Sequence, residues 1–241
     1  MIVLNYHELV DADPSNAWGL IHDVFDAHLA LYEDRLISPQ TFLQRCSDPE
    51  ADAPDAVLLT FDDGFLSDYT HVYARYMETG RVPGFMSFIP VGFVGMPGRM
   101  TWTMIEELHK EGVAIGSHGM AHVDLTAVSD RELDRELALS KLMLEDRLGA
   151  PVLLFAFPYG RFSRRVWDAA LKAGYTHLFT IQLGSHRGFE PFLYSRLCLT
   201  NEMDMNYLRW HLQDPNAARS FAWKVSTKLG LYRRMMRVRY R

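Results

Sequence analysis

Val57-Leu58-Leu59-Thr60-Phe61-Asp62-Asp63-Gly64 is the stretch on which the fold turns. Val57 to Phe61 is an unbroken apolar run, the pattern of a strand buried on both faces of a parallel sheet. It leads straight into two adjacent carboxylates, and Gly64 lets the chain turn sharply behind them. Paired acids at the end of a buried strand make a poor core and a good site. Outward from this stretch the same order recurs, an apolar run with a polar end and then a helical pattern. Ile2 to Tyr6 ends at His7-Glu8, Val82 to Ile89 at Pro90, and Val113 to Ser117 at His118. Val152 to Phe157 ends at Pro158-Tyr159-Gly160, and His177 to Ile181 and Tyr194 to Thr200 complete seven strands. Between them, Phe65 to Gly80 reads as a helix with Phe65, Tyr69, Val72 and Tyr76 on one stripe. Thr103 with Glu106 and Ser129 with Glu132 have the spacing of capping boxes, and Gly112, Gly149 and Gly174 close the helices. Ser38-Pro39 opens a further short helix. This alternation predicts an α/β fold, a parallel sheet of about seven strands most simply closed as a (β/α) barrel.

Composition bounds the function. The chain has 241 residues, 48% of them hydrophobic, which suits a globular barrel. Eight of its 25 basic residues and none of its 30 acids fall in Arg219 to Arg241, leaving 17 − 30 = −13 on the rest. A body that acidic is no general nucleic-acid binder. Cys46 and Cys198 provide neither a disulfide framework nor a thiolate zinc site. No apolar run reaches the length of a membrane span. The opening Met1-Ile2-Val3-Leu4 already reads as strand, without a basic leader, and the expectation is a cytoplasmic protein.

The polar residues singled out fall at strand ends: His7, Asp62, Asp63, His118, Tyr159 and Arg196. Active sites of barrel enzymes assemble on that face. His118 and His122, four apart, can reach one metal ion if they share a helical turn. Two imidazoles and a carboxylate leave positions open on the ion, the pattern of a catalytic site. Adjacent side chains leaving a strand diverge, so one member of the Asp62-Asp63 pair can bind the ion while the other faces its water. Taken alone, two histidines after a strand are as readily surface residues, and the acid pair a helix cap or a calcium or magnesium corner.

Thr60-Phe61-Asp62-Asp63-Gly64, Ser117-His118-x3-His122 and Phe157-Pro158-Tyr159-Gly160 together resemble three motifs of the polysaccharide deacetylases, the NodB-homology enzymes of carbohydrate esterase family four. The order and separations agree over roughly residues 2–200. The resemblance implies a distorted (β/α) barrel of seven or eight strands and a metal triad of Asp63, His118 and His122, usually for Zn2+, with Ni2+ or Co2+ tolerated. It implies Asp62 as general base and the Tyr159 backbone N–H as support for the oxyanion. The reaction implied is removal of acetyl from an N-acetylated sugar. An O-acetyl or cyclic-amide hydrolase with the same site, or a non-catalytic carbohydrate-binding relative, is the alternative.

Two departures from the pattern stand out. The third motif usually begins with an arginine that holds the base, and Phe155-Ala156-Phe157 has none. Arg196 is the replacement candidate, against a rim salt bridge. The usual C-terminal histidine acid is also absent, since His211 lies in a helix-like stretch. His7 is the better candidate and resembles a branch with an N-terminal Tyr-His motif, as in poly-N-acetylglucosamine deacetylases. His22, His28, His71, His109, His177 and His186 have no such context and read as surface or structural. Phe93 and Trp102 read as packing rather than as a sugar platform.

The domain division expected is a barrel over 1–213 and a basic helical extension over 214–241. Phe221, Val225, Leu229, Tyr232 and Met236 form a helical stripe flanked by Arg and Lys. Phe221 to Leu229 is expected to pack its stripe on the barrel, and the arginine-rich end to touch an anionic membrane at the inner surface, where lipid-linked sugar precursors sit, or an acidic partner.

Overall fold

The computed structural model describes residues 1–47, 55–183 and 193–213. Residues 48–54 and the expected basic extension at 214–241 therefore lie outside the described residues, as does His186.

One parallel sheet organises the chain. Its strands are β1 (Ile2–Tyr6), β4 (Val57–Asp62), β5 (Met86–Ile89), β6 (Ala114–Ser117), β7 (Leu154–Ala156), β8 (His177–Thr180), β9 (Leu193–Ser195) and β10 (Leu197–Cys198). They lie in the order β10-β1-β4-β5-β6-β7-β8-β9, and each neighbouring pair is parallel. The count is eight rather than the expected seven. The last expected strand, Tyr194 to Thr200, is interrupted at Arg196. Its first half pairs with β8 and its second half with β1, so one run of chain brings the two sheet edges together and nearly closes a barrel. A small parallel pair, β2 (Glu8–Val10) with β3 (Gly19–Ile21), was not anticipated.

Strand alternation divides the core. Leu4, Tyr6, Val57, Leu59 and Phe61 pack outward with helix residues such as Phe25, Leu29, Val72, Ile105 and Leu137. Val3, Leu58, Met86, Phe88, Ala156 and Phe179 pack inward, and Phe42 of helix Pro39–Ser47 joins them. The inward series continues upward along the same strands as Asn5, Thr60 and Asp62. A barrel with an apolar floor and a polar upper layer follows from the sequence period alone.

The helices differ from expectation in detail. Thr101, not Thr103, caps helix Trp102–Lys110, its side chain accepting from the Met104 N–H. Ser129 does cap the helix it was assigned, accepting from the Glu132 N–H. The segment Asp68–Met77 is wound with wider, π-type turns, and the Glu78 N–H bonds the Tyr73 carbonyl at its end. Tyr73 is accordingly buried beside Val72 and Tyr76, while Tyr69 is only half-buried. A second wide-turn segment, Arg135–Leu139, interrupts the helix expected over 130–148. Among the described residues no helix is long and apolar enough to cross a membrane.

Candidate active site

Asp62 is the last residue of β4, and its inward position puts it over the apolar floor. It is 3% exposed, and a carboxylate so buried needs full compensation. Arg196 supplies it from the barrel closure. Its Nη1 and Nη2 donate to Asp62 Oδ1 and Oδ2 at 2.7 and 2.8 Å, a bidentate pair. Asn5 adds a hydrogen bond to Oδ2 at 3.1 Å, and the guanidinium also reaches Asn5 Oδ1 and Thr60 Oγ1. The rings of Phe88 and Phe179 lie 5.1 and 5.9 Å from the guanidinium carbon. Burial alone would raise the Asp62 pKa. The Arg196 charge and hydrogen bonds, with His118 and His7 nearby, outweigh it and hold the carboxyl well below its ordinary value. Such a group is ionised at neutral pH and firmly oriented.

Asp63 turns away from the strand direction with φ 74°, and Gly64 follows at φ 59°. His122 (φ 53°) and Tyr159 (φ 60°) are also in the left-handed region. Three of the four non-glycine residues with positive φ among the described residues thus belong to this one site. Each such residue costs about 1–3 kcal/mol, which the surrounding contacts must offset.

His118 leaves β6 and is 2% exposed. Its Nδ1 lies 2.7 Å from the Ala156 carbonyl, so that nitrogen carries the proton and Nε2 keeps its lone pair. His122 is oriented by Tyr159. Its Nδ1 is 3.0 Å from the Tyr159 hydroxyl, which donates onward to the His122 carbonyl at 2.7 Å. The His118 and His122 Nε2 atoms stand 3.8 and 3.2 Å from Asp63 Oδ1. All three ligand atoms lie within 4.8 Å of one another. Two imidazoles that turn Nε2 toward one buried carboxylate oxygen form a donor set suited to a divalent ion of the zinc class.

The two histidines do not share a helical turn. Residues 118–123 are an irregular loop, with Gly119 at φ 80°. Glu136, on the first wide turn of its helix, organises that loop. Its Oε2 accepts the backbone N–H groups of Met120 and Ala121 at 2.8 and 3.0 Å. Opposite it, Val91 and Gly92 donate to the Gly119 and Met120 carbonyls. Arg99 is a second residue that sequence reasoning missed. Its Nη1 donates to the Asp63 carbonyl at 2.7 Å, and the guanidinium stacks 3.7 Å over Phe65. Gly-rich spacing after Asp63 offered no signal for it, because the contact spans a loop.

His7 ends β1 one residue past the Tyr6–Phe61 register, level with Asp62. It is buried, packs against Trp18 at 4.6 Å between ring centroids, and acts electrostatically on Asp62. His211 instead sits on helix Met205–Gln213 with Nδ1 at its own Tyr207 carbonyl. Phe93 lies half-buried under Arg99, 6.1 Å from the His122 ring, and Trp102 stacks with Arg147. The structure therefore brings together Asp62, Asp63, His118, His122, Tyr159 and Arg196, with His7 beside them.

Known proteins share this framework. The chain is 23% identical over 186 residues to a putative polysaccharide deacetylase, YxkH, of Bacillus subtilis, a match covering 76% of this chain and 65% of that protein. It is 29% identical over 119 residues to the peptidoglycan-N-acetylglucosamine deacetylase of Bacillus cereus, covering 49% of this chain and 53% of that one. In both, the match spans less than two thirds of the relative. Among solved structures, the Streptococcus pyogenes deacetylase PplD in complex with acetate superposes with a TM-score of 0.77 at 22% identity, over 88% of this chain and 97% of that one. IcaB from Ammonifex degensii gives 0.70 at 22% identity, over 92% and 96%. The family model for polysaccharide deacetylase matches residues 50–178, more than half of the sequence and the part that holds Asp62, Asp63, His118, His122 and Tyr159. This chain belongs to the polysaccharide deacetylase family.

Proposed function

We propose that this protein is a divalent-metal-dependent hydrolase that removes the acetyl group from an N-acetylated amino sugar. The observation that carries the reading is the pairing of an ionised, clamped Asp62 with an adjacent three-donor cluster, Asp63, His118 and His122. Those three residues would hold the ion, with Zn2+ the first candidate and Ni2+ or Co2+ alternatives. When bound, the ion supplies Lewis acidity, polarising a carbonyl and acidifying a water toward a pKa of about 7. Asp62 takes the proton of the attacking water. Its two oxygens are fixed by Arg196 and Asn5, so it is positioned rather than strongly basic, and the proton is passed on rather than stored. The backbone N–H of Tyr159 donates to the acyl oxygen as negative charge grows on it. The protonated His7 ring gives a proton to the leaving nitrogen as the C–N bond breaks, so that water and amide become acetate and amine. The Tyr159 hydroxyl does separate work, holding the His122 ring.

A non-catalytic reading drew on the lack of an arginine before Pro158. A guanidinium reaches Asp62 from Arg196 instead, which favours the catalytic reading.

The test is acetate and free-amine release from N-acetylglucosamine oligomers, assayed beside metal content. Asp63→Ala and His118→Ala should each lose the zinc of this site and activity together. His7→Ala should keep zinc and lose about 10²–10⁴-fold in kcat. Full activity in metal-stripped protein would overturn the proposal, and acetate released from O-acetylated sugars but not from the N-acetylglucosamine oligomers would move the substrate to O-acetyl sugars.

A further inference from the structure

A second convergence of ligating side chains lies outside this site. Asp11 follows β2, His22 opens helix His22–Leu29 behind β3, and His71 stands on the wide-turn helix Asp68–Met77. Nothing in their sequence context joins them, yet their ligand atoms fall within 4.8 Å of one another. His22 Nε2 and His71 Nε2 stand 3.7 and 3.6 Å from Asp11 Oδ1. Those separations are too long for hydrogen bonds. Donors bound at about 2.1 Å to a tetrahedral ion stand about 3.4 Å apart, so the spacing suits atoms facing a common cation.

The outer contacts repeat the pattern of the first site. The His22 Nδ1 lies 3.5 Å from the Tyr76 hydroxyl, and the His71 Nδ1 2.7 Å from Thr70 Oγ1. Each hydroxyl can accept an Nδ1–H, which leaves both Nε2 lone pairs toward Asp11. The rings lie nearly face to face, 4.2 Å between centroids. His22 is 4% exposed, and its Nε2 has no hydrogen-bond partner. Leaving such a nitrogen buried and unsatisfied costs about 1–3 kcal/mol, which ligation would recover. The Asp11 side chain is 84% exposed, so an ion can enter from solvent.

We propose that Asp11, His22 and His71 form a second, structural site for a divalent transition ion, of the zinc, nickel or cobalt class. Two imidazoles and one carboxylate favour such ions over magnesium or calcium. The ion ties the segment 11–22, which holds Trp18 against His7, to the helix that follows Asp62-Asp63-Gly64. The site stands independently of the proposed chemistry.

Zinc per full-length chain, measured after dialysis against a micromolar zinc buffer, tests it. His118→Ala, which removes a ligand of the first site, should retain one ion. Adding His71→Gln or Asp11→Asn to that variant should remove it; both positions are solvent-accessible, so neither change endangers the core as loss of His22 would. Cobalt added to the His118→Ala protein should give the intense visible bands of a low-coordinate site, and the double variants should lack them. A His118→Ala protein without zinc, or double variants that keep theirs, would overturn the second site. One ion in both wild type and His118→Ala would uphold it and sink the first.

Discussion

Arg196 shows at the scale of one residue how this site is afforded. Neither its guanidinium nor the Asp62 carboxylate is tolerable alone at such depth, and together they are matched atom for atom. Removing one partner strands the other, which costs about 3–5 kcal/mol. Arg196→Ala should therefore be severely destabilised in urea unfolding, and adding Asp62→Asn should recover much of the loss. If the double variant is no more stable than Arg196→Ala, the stranded charge is not the cause. The residues legible in the sequence were those in short local motifs, Asp62-Asp63, His118-x3-His122 and Pro158-Tyr159. Arg196 was legible only as a candidate, against a rim salt bridge, because its partner lies 134 positions away. Glu136 was invisible. A glutamate inside a helix looks solvated, and only the wide turn at 135–139 and the folded 118–123 loop reveal that it accepts two backbone N–H groups. His22 and His71 failed to register for the same reason, being 49 positions apart and joined only through the fold.

At the scale of elements, helix His22–Leu29 carries a titratable residue into the core. His28 is 2% exposed and meets the Tyr6 hydroxyl, which also bonds the Tyr32 hydroxyl. Burial pushes the His28 pKa down to about 4. The unfolded chain, with an ordinary histidine pKa of about 6.5, binds this proton first as pH falls, so the folded state is fully favoured above that value and loses ground down to about pH 4. The loss from this one ring is about 2–3 kcal/mol. Urea unfolding at pH 7 and pH 4.5 should show a drop that is smaller by that amount in His28→Gln. Equal drops in both proteins would refute the assignment. Helix placement was largely readable from apolar spacing and terminal glycines. Winding was not, since a 3.6-residue period assumes regular turns, and the π-type turns at 68–77 moved Tyr73 into the core in place of Tyr69.

Across the whole molecule, the apolar floor and the polar layer above it divide the labour. Phe42 reaches the floor from helix Pro39–Ser47 and packs 6.0 Å from Phe179 and 5.2 Å from Tyr194. Phe42→Ala should destabilise by about 3–5 kcal/mol in urea while the zinc content of the Asp63 site stays unchanged. Loss of zinc in the folded variant would mean that floor and site are coupled. The barrel itself was legible because each strand declares its own burial. The split of the last strand was not, because pairing partners are a property of the closed sheet.

The two-sided pairing of residues 193–198 also sets a timetable. Closure joins Leu4 to Leu197, a loop of nearly the whole described chain, and contacts so distant in sequence form slowly because their loop entropy is paid first. Arg196 reaches Asp62 only in that step. A nascent or partly folded chain can assemble Asp63, His118 and His122 from the central strands and still lack an oriented Asp62. Under the proposed mechanism, hydrolytic competence would then depend on the same closure that seats Arg196 against Asp62.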